Sequence, residues 1–288
     1  MANKKTPRQQ GPWAEVVSRF MRNRMAVFGL CIVILLIICA VFAPVIAPYH
    51  FDDQDVARAL QRPGPAHWFG TDKFGRDIFS RVIYGSRISL QVGLIAVAAA
   101  LAVGGTLGAV AGFFGGMADS LIMRFMDILM AVPGMLLAIA IAASLGPGLR
   151  NMMIAIGIGS VPGYARIMRA SVMSVKGNEY VEAATAIGAS NLRIVIRHIL
   201  PNALAPVIVQ ATLGVASSIT SCAMLSFLGL GIEPPTPEWG AMLSAARQYL
   251  RGYAYMAAFP GLFIMITVYA LNVLGDGIRD AIDPRLKD

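Results

Sequence analysis

Charged residues are scarce in this sequence. Asp, Glu, Lys and Arg make up 14% of the 288 residues and apolar side chains 57%, whereas about 25% of a soluble domain is charged. A disordered chain is excluded as well, because it needs low hydrophobicity and a large net charge. The composition therefore predicts a polytopic membrane protein rather than a water-soluble globule.

Cysteine and histidine are also rare. The three cysteines have no paired spacing in an aqueous loop, so neither a disulfide framework nor a zinc site is indicated. We expect His50, His67 and His198 to be surface or interfacial side chains, because a metal site needs several clustered ligands. We therefore predict no catalytic residue, no metal site and no cofactor in this chain, and a membrane enzyme is the least favoured class.

Six stretches between successive charged residues predict the membrane spans. They cover residues 25–51, 88–118, 128–149, 151–165, 198–232 and 252–275. A helix needs roughly 20 residues to cross the hydrocarbon core. The fourth stretch is shorter and can span if its flanking arginines extend toward the headgroups. We predict an all-α fold with six transmembrane helices, and we expect the first, being longer than a signal-peptide core, to be a retained anchor.

Basic residues predict the orientation, because Lys and Arg concentrate in cytoplasmic connections. Eleven of them lie before the first span or between the fourth and fifth: Lys4, Lys5, Arg8, Arg19, Arg22, Arg24, Arg166, Arg169, Lys176, Arg193 and Arg197. Both termini are therefore predicted to be cytoplasmic. The net charge of +8 then reflects topology and contact with anionic membrane lipid, and no nucleic-acid partner is expected.

This topology divides the chain into five parts. We predict a cytoplasmic N-terminal segment (1–24), a first transmembrane helix (25–47), an external loop (48–87), a five-helix core (88–275) with a cytoplasmic loop at 176–202, and a cytoplasmic tail (276–288).

Small residues and prolines mark three of the spans. Pro133 and Pro162, each followed by glycine, predict kinks in the third and fourth spans. One face of the second span carries a glycine every four residues, a spacing that lets another helix approach closely in lipid. The pattern leaves open whether that helix belongs to this chain or to a partner. The glycines are Gly104, Gly108, Gly112 and Gly116.

The spans lack the ionisable side chains that ion-coupled transporters keep in the bilayer centre. The nearest candidate is Asp127, one turn from Arg124, and we expect it to form an interfacial ion pair rather than a proton relay. The sequence also has no Gly-Lys pair and therefore no P-loop to hold the phosphates of ATP. A transporter built from this chain is expected to take its energy from another polypeptide.

The cytoplasmic connection between the fourth and fifth spans predicts two short amphipathic helices that meet at Gly188. Such an element either docks in a groove of a partner or lies flat at the membrane interface, and the pattern leaves both possible. The expected apolar faces are Tyr180, Val181, Ala184 and Ile187 in the first helix, and Leu192, Val195, Ile196, Ile199 and Leu200 in the second.

Short motifs along the chain carry a family resemblance. Three of them lie in the cytoplasmic connection: Glu182-Ala183-Ala184, Gly188 and His198-Ile199-Leu200-Pro201. Two lie in the first outer loop: Phe69-Gly70-Thr71-Asp72 and Gly75-Arg76-Asp77-Ile78. The others follow the connection: Leu225-Ser226-Phe227-Leu228-Gly229-Leu230-Gly231, Pro234-Pro235-Thr236-Pro237, Trp239-Gly240, Leu274-Gly275-Asp276-Gly277-Ile278-Arg279-Asp280 and Asp283-Pro284-Arg285-Leu286. Together they resemble permease subunits of bacterial ABC importers, in the dipeptide, oligopeptide and nickel branch, whose cytoplasmic connection is called the EAA loop.

The resemblance implies a type I importer permease fold in the bacterial inner membrane. It also implies four kinds of partner: a second homologous permease, two ATPase subunits that bind ATP and Mg, an extracytoplasmic solute-binding protein, and membrane lipid. The EAA loop would be a coupling helix seated in a cleft of one ATPase. The residues carried over to this coupling role are Glu182, Ala183, Ala184, Gly188, His198 and Pro201.

Two residues near the outer mouth are candidates for a pathway or a gate. Peptide-type relatives often carry glutamate where this chain has Cys222, so that residue either faces a pathway that lacks the charge or packs as a small side chain. Trp239 is either a gate or an interfacial anchor. We expect the loop 48–87 to be solvated, and it either contacts the binding protein in part or is passive. We expect 233–255 to form a short outer helix.

The function predicted from these observations is that of a permease subunit of an ATP-driven importer for di- or oligopeptides. Nickel, glutathione or another small solute are the alternative substrates. A membrane scaffold without transport is the alternative from a different class.

Overall fold

The computed structural model describes residues 12–282, and these form helices joined by loops, without a β-strand. Two predicted features lie outside the described residues: the start of the N-terminal segment, with Lys4, Lys5 and Arg8, and the tail motif at 283–286. The helices are α1 (Pro12–Arg22), α2 (Arg24–Val41), α3 (Ala43–Ile46), α4 (Ile78–Phe114), α5 (Gly116–Met130), α6 (Gly134–Leu145), α7 (Leu149–Lys176), α8 (Glu179–Ala186), α9 (Asn191–Ile194), α10 (Leu200–Phe227), α11 (Trp239–Ala246) and α12 (Tyr255–Ile282).

Four helical stretches are long and apolar enough to cross a membrane. They are α2, α4, α12 and the stretch Asn191–Phe227, in which a π-helical turn (Val195–Ile199) joins α9 to α10. The predicted third span is not one helix: α5 and α6 meet at an angle of 82° across residues 131–133. Pro133 explains the break, because it has no N–H to donate and its ring opposes a continuous helix.

The predicted fourth span corresponds to α7, a helix of 28 residues that continues through Pro162. At 1.5 Å per residue a helix of that length extends about 42 Å, enough to cross a bilayer. Its sequence is less apolar than that of the four stretches above, because it contains Arg150, Arg166, Arg169 and Lys176. The architecture is consistent with six crossings, one of them broken.

Helices α4 and α7 lie nearly backbone to backbone. A Cβ atom on Gly104 or Gly108 would collide with a main-chain carbonyl oxygen of α7, and one on Gly112 would lie 2.8 Å from the carbonyl oxygen of Arg169. The close neighbour of the glycine face is therefore in the same chain. Gly116 does not belong to this face, because α4 ends at Phe114 and the next two residues turn the chain with positive φ.

Both ends of the described chain meet the cytoplasmic connection at one end of the bundle. Gly277 of α12 packs against Ala26 of α2, and Arg279 and Ile282 lie beside Pro206, near the start of α10. This is the end that the basic residues assign to the cytoplasm, and we call it the cytoplasmic end. The opposite end carries α11 and the long loop after α3.

That long loop is folded, and the expectation that it would be solvated holds for only part of it. Asp72 accepts hydrogen bonds from the N–H groups of Phe74 and Arg76, and its second oxygen lies 2.7 Å from Nε of Arg76. Arg81 donates to the carbonyl oxygen of Phe51 at 2.8 Å. Burying these charges is tolerated because they are paired and hydrogen-bonded. Five other charged residues of the loop are exposed: Asp53, Asp55, Arg58, Arg62 and Lys73.

His67 is likewise buried, with 6% of its surface exposed, so the surface position predicted for it is wrong. Its Nδ1 lies 2.9 Å from Oδ1 of Asp77, and the other oxygen of Asp77 accepts the N–H of Ser80 and caps α4. The loop motif therefore starts the longest helix of the bundle.

Contacts from the last third of the chain close this loop into a unit that we call the outer cap, residues 48–77 with 233–255. Tyr255 donates its hydroxyl to the carbonyl oxygen of Gln61 at 2.8 Å. The rings of Phe69 and Phe259 stack with centroids 3.8 Å apart. The predicted short outer helix is present as α11, and the cap holds it against α4 and α12.

Candidate functional site

The cytoplasmic connection begins directly below α7. Only Gly177 and Asn178 separate Lys176, the last residue of α7, from α8. Glu179 and Glu182 occupy the first turn of α8, where negative charge favours the positive end of the helix dipole. Because the linker is so short, α8 is positioned by the end of a membrane-embedded helix.

Two side chains fix α8 to the bundle. Val181 and Ala184 are 4% and 5% exposed and pack in a core with Val172 and Val175 of α7 and Ile199. The predicted contact of Ala184 with a partner is therefore not available to its side chain, which is covered by its own chain. Ala184 positions the helix, whereas its neighbours Glu182 and Ala183 are exposed.

The apolar face predicted for this first helix is divided between core and surface. Tyr180 is exposed and Ile187 has 85% of its surface exposed, while Val181 and Ala184 are buried. Ile187 is the C-cap residue of α8 and Glu182 lies in its first turn, and both are exposed. The exposed part of α8 therefore presents mixed apolar and acidic chemistry at the cytoplasmic end.

Gly188 ends α8 by its backbone conformation. Its φ is +79°, a region that only glycine enters without steric cost. The N–H of Ala189 bonds to the carbonyl of Ala184, and that of Gly188 to the carbonyl of Thr185, which is the Schellman arrangement. No atom lies within 4 Å of a Cβ built on this glycine. Gly188 thus turns the chain and leaves open space, and it does not pack tightly.

The second limb of the connection agrees in part with the predicted pattern. Four residues of the predicted face line one surface cavity together: Leu192, Val195, Ile196 and Leu200. Ile199, predicted on the same face, is buried in the core. The π-helical turn at Val195–Ile199 adds a residue to the helix there and rotates the side chains that follow it around the axis, and a periodicity of 3.6 residues cannot locate such a rotation. We call residues 179–199 the elbow.

The two remaining residues of the predicted coupling set lie at the end of the elbow and just after it. His198 is half-buried, and its carbonyl oxygen accepts a hydrogen bond from the side chain of Asn202 at 2.7 Å. Pro201 is exposed in the first turn of α10, where a proline costs no hydrogen bond. Both lie at the junction of the elbow with α10, apart from the exposed side of α8.

Three polar contacts tie α7 to its neighbours just above the elbow. Arg169 forms a fork with Asp119 of α5, and Arg166 lies 2.6 Å from Asp127 of the same helix. Lys176 donates to the carbonyl oxygen of Phe113, at the end of α4, at 2.6 Å. The expected ion pair of Asp127 is confirmed, with Arg166 as its partner. The elbow is therefore connected to α4 and α5 as well as to α7.

At the outer end, the two predicted pathway residues are wholly buried. Trp239 donates its indole N–H to the carbonyl oxygen of Val82 at 2.9 Å and has no exposed surface. It is therefore neither an interfacial anchor nor a residue open to a pathway in this structure. Cys222 packs with Val92 and Leu225, in agreement with a packing role.

The sequence analysis missed Glu238, which lies against Cys222. The thiol of Cys222 is 3.6 Å from Oε1 of Glu238. The two carboxylate oxygens of Glu238 accept the N–H groups of Gly240 and Ala241, each at 2.8 Å, and so cap α11. Glu238 therefore places its carboxyl group beside position 222 and uses both oxygens to cap α11. The sequence signal that could have identified Glu238 is its position directly before Trp239.

Among residues 12–282, no group of three or more His, Cys, Asp or Glu side chains is arranged to hold a metal ion. The polar groups described above, such as the pair of Arg169 with Asp119, position helices.

Comparisons with known proteins agree with this architecture. Residues 104–288 match the model of the binding-protein-dependent transport system inner membrane component, and residues 11–63 match that of the N-terminal TM domain of oligopeptide transport permease C. The dipeptide transport system permease protein DppC of Alkalihalophilus pseudofirmus is 49% identical over 276 residues, which cover 96% of this chain and 91% of that protein.

Two further similarities extend the comparison. The glutathione transport system permease protein GsiD of Escherichia coli is 48% identical over 277 residues, covering 96% of this chain and 91% of the relative. A chain of the inward-facing MetNI methionine ABC transporter superimposes with a TM-score of 0.59 at 20% identity, covering 72% of this chain and 98% of that one; this likeness shows the fold. The protein therefore belongs to the inner membrane components of binding-protein-dependent transport systems, the multi-pass permeases of ABC importers.

Proposed function

We propose that this chain is the permease subunit of an ATP-driven importer of di- or oligopeptides and forms one half of a translocation pathway. The other half would come from a second homologous permease. Relatives named for dipeptide and di/tripeptide transport support this substrate class. Glutathione is the second candidate, because relatives of nearly equal identity are named for its transport.

The observation that carries the proposal is the position of the elbow. Its helix α8 is fixed to α7 by Val181 and Ala184, while Glu182 and Ala183 remain exposed at the cytoplasmic end. An exposed helix held by its opposite face fits a groove on a partner. We infer that this partner is a separate ATPase subunit that binds ATP and Mg.

Motion of that ATPase would reach the membrane through the contacts above the elbow. A shift of α8 moves the end of α7 directly, and the pairs of Arg169 and Arg166 carry it to α5. ATP binding and substrate binding can influence each other only through states whose equilibrium both of them bias. We propose that the angle between α5 and α6 differs between those states.

The outer cap would receive the extracytoplasmic solute-binding protein. Its buried ion pairs and the hydrogen bond from Tyr255, the first residue of α12, to Gln61 make it part of the bundle. A binding protein that docks on it would therefore act on α4 and α12 together.

The coupling role is tested by reconstituting the complete importer in vesicles and measuring peptide uptake and ATP hydrolysis together. Glu182→Lys reverses a charge on the exposed side of α8, and we expect uptake to fall on the order of tenfold while the chain still inserts. Glu182→Gln removes the charge but keeps the shape and one acceptor oxygen, so it should retain an intermediate rate. Unchanged uptake per ATP hydrolysed in Glu182→Lys would remove α8 as the coupling element.

The substrate class is tested separately, by titrating the cognate solute-binding protein with dipeptides, tripeptides, glutathione and Ni²⁺. The proposal expects short peptides to bind most tightly. Preferential binding of glutathione would favour the second candidate. Preferential binding of Ni²⁺ would overturn the peptide proposal.

A further inference from the structure

A cavity of about 440 Å³ opens on the surface of the chain where the break between α5 and α6 meets α7 and α10. Its volume is in the range of small-molecule binding sites, about 300 to 1,000 Å³. Four polar side chains line it, none of them a carboxylate or a base: Ser160, Tyr164, Gln210 and Ser217.

The cavity lies near the midpoints of two of the helices that form it. Ser160 and Tyr164 are close to the midpoint of α7, and Gln210 and Ser217 are close to the midpoint of α10, both helices of 28 residues. Gly134 at the start of α6 approaches Gly159 of α7 at the same height. Three separate elements therefore bring polar groups to one depth.

The broken backbone must face something other than lipid. Val132 is 42% exposed and Pro133 is exposed too, and α6 starts without a side-chain cap. In hydrocarbon each unsatisfied backbone group costs several kcal/mol, so irregular backbone occurs at this depth only where it lines a water-filled cavity or is covered by protein. The break therefore identifies this surface as part of an aqueous route or of a protein interface.

The polar side chains favour the aqueous route. The hydroxyls of Thr212 and Thr220, on the same helix, bond to carbonyl groups one turn back. Within residues 12–282, the Gln210 amide and the Ser217 hydroxyl make no such side-chain bond. These two groups can therefore form hydrogen bonds with a bound molecule, and an amide offers both a donor and an acceptor.

We propose that this cavity is a transient binding site for the backbone of a peptide in transit, with Gln210 hydrogen-bonded to a peptide group; this inference rests on the proposed import of peptides. An uncharged polar surface matches the CO and NH groups that all peptides share. It also avoids a preference for either sign of side-chain charge. A transition-metal cation would instead require imidazole, thiolate or carboxylate ligands, which the residues lining the cavity do not include.

The first test compares Gln210→Leu with Thr212→Val in the reconstituted complex. Thr212 lies two residues away on α10, outside the cavity lining, with its hydroxyl satisfied by its own helix. Loss of one hydrogen bond to the passing peptide should slow dipeptide uptake about three- to tenfold in Gln210→Leu, with little change in Thr212→Val. Equal rates in the two variants would overturn the role of Gln210.

The second test measures accessibility. We would introduce Ser217→Cys in a background without Cys31 and Cys39, and treat the complex with a polar thiol reagent in the presence and absence of dipeptide. The proposal expects modification that dipeptide slows, whereas modification of Thr212→Cys should not respond to dipeptide. Modification that dipeptide does not slow would overturn the peptide site, because the surface would then be an aqueous route without a peptide-binding site. No modification at all would also overturn it, because the surface would then be a covered protein interface.

Peptide uptake by the wild-type complex distinguishes a failure of this inference from a failure of the proposed function. If it imports peptides while Ser217→Cys is not protected, the cavity proposal alone fails. If it imports no peptide, both fail.

Discussion

Arg169 holds both carboxylate oxygens of Asp119, with Nε and Nη2 each 2.5 Å from an oxygen. Forked pairs of this kind fix orientation as well as distance. The pair joins the end of α7 that carries the elbow to α5, the helix that leads into the break at 131–133. It is therefore the contact through which displacement of the elbow would reach the middle of the membrane.

Arg169→Ala tests this connection. The pair is partly exposed, with 32% and 20% of the side chains accessible, so its loss should cost no more than about 1 kcal/mol of stability. We nevertheless expect peptide uptake per ATP hydrolysed to fall severalfold. Combining Arg169→Asp with Asp119→Arg should restore it in part. Full coupling in Arg169→Ala would show that α5 is not driven through this pair.

Gly108→Ala tests the packing of α4 on α7. The added Cβ would collide with the carbonyl group of Ala165, and we expect a loss of stability of about 1 to 3 kcal/mol. Gly105→Ala is the matched control, because its Cβ would meet only side-chain atoms at 3.5 Å. Thermal unfolding of the two variants in detergent gives the comparison, and equal midpoints would contradict the close approach described above.

Gly188 should tolerate substitution in the order Asn, Ala, Val. The site is open, so the cost comes from the positive φ, about 1 to 2 kcal/mol for a residue with a Cβ, and asparagine enters this region more easily than β-branched residues do. Gly177→Ala, at the end of α7 with φ −84° and open space around it, should be neutral. Hydrogen exchange in α8 measures the effect, and equal exchange in all four variants would refute it.

Glu238→Ala removes the cap of α11 and leaves two buried N–H groups without their acceptor. Loss of an N-cap costs about 0.5 to 2 kcal/mol. Glu233→Ala removes an exposed carboxylate from the same loop and should change nothing measurable. Thermal midpoints in detergent distinguish the two, and an unchanged midpoint in Glu238→Ala would mean that water replaces the carboxylate.

The sequence alone predicted those structural features that depend on one residue or on one local pattern. The charge-free stretches predict the long helices, the glycine spacing predicts a close neighbour for α4, and Gly188 predicts the turn of the elbow. Pro133 predicts a disturbed helix, but its 82° angle depends on how α7 packs beside it. These features follow from chain composition or from a single residue.

The remaining features required long-range contacts. The balanced charges of the outer loop do not indicate that Asp72 and Arg76 pair in the interior, because a fully solvated loop could have the same sequence. Glu238 lies sixteen positions from Cys222 in sequence, and only the fold brings them together. The π-helical turn before α10 likewise has no signal in the sequence, because periodicity arguments assume a regular helix.

The outer cap also constrains the order in which the protein can be assembled. Tyr255 and Gln61 are 194 positions apart, and Trp239 and Val82 are 157 apart. During synthesis, the loop 48–77 and its charged side chains therefore stay outside the membrane without these contacts until α11 and α12 have been synthesised and placed. A chain truncated before Trp239 would lack these contacts, so its first loop should be open to proteases at the extracytoplasmic face while its early helices are already in place.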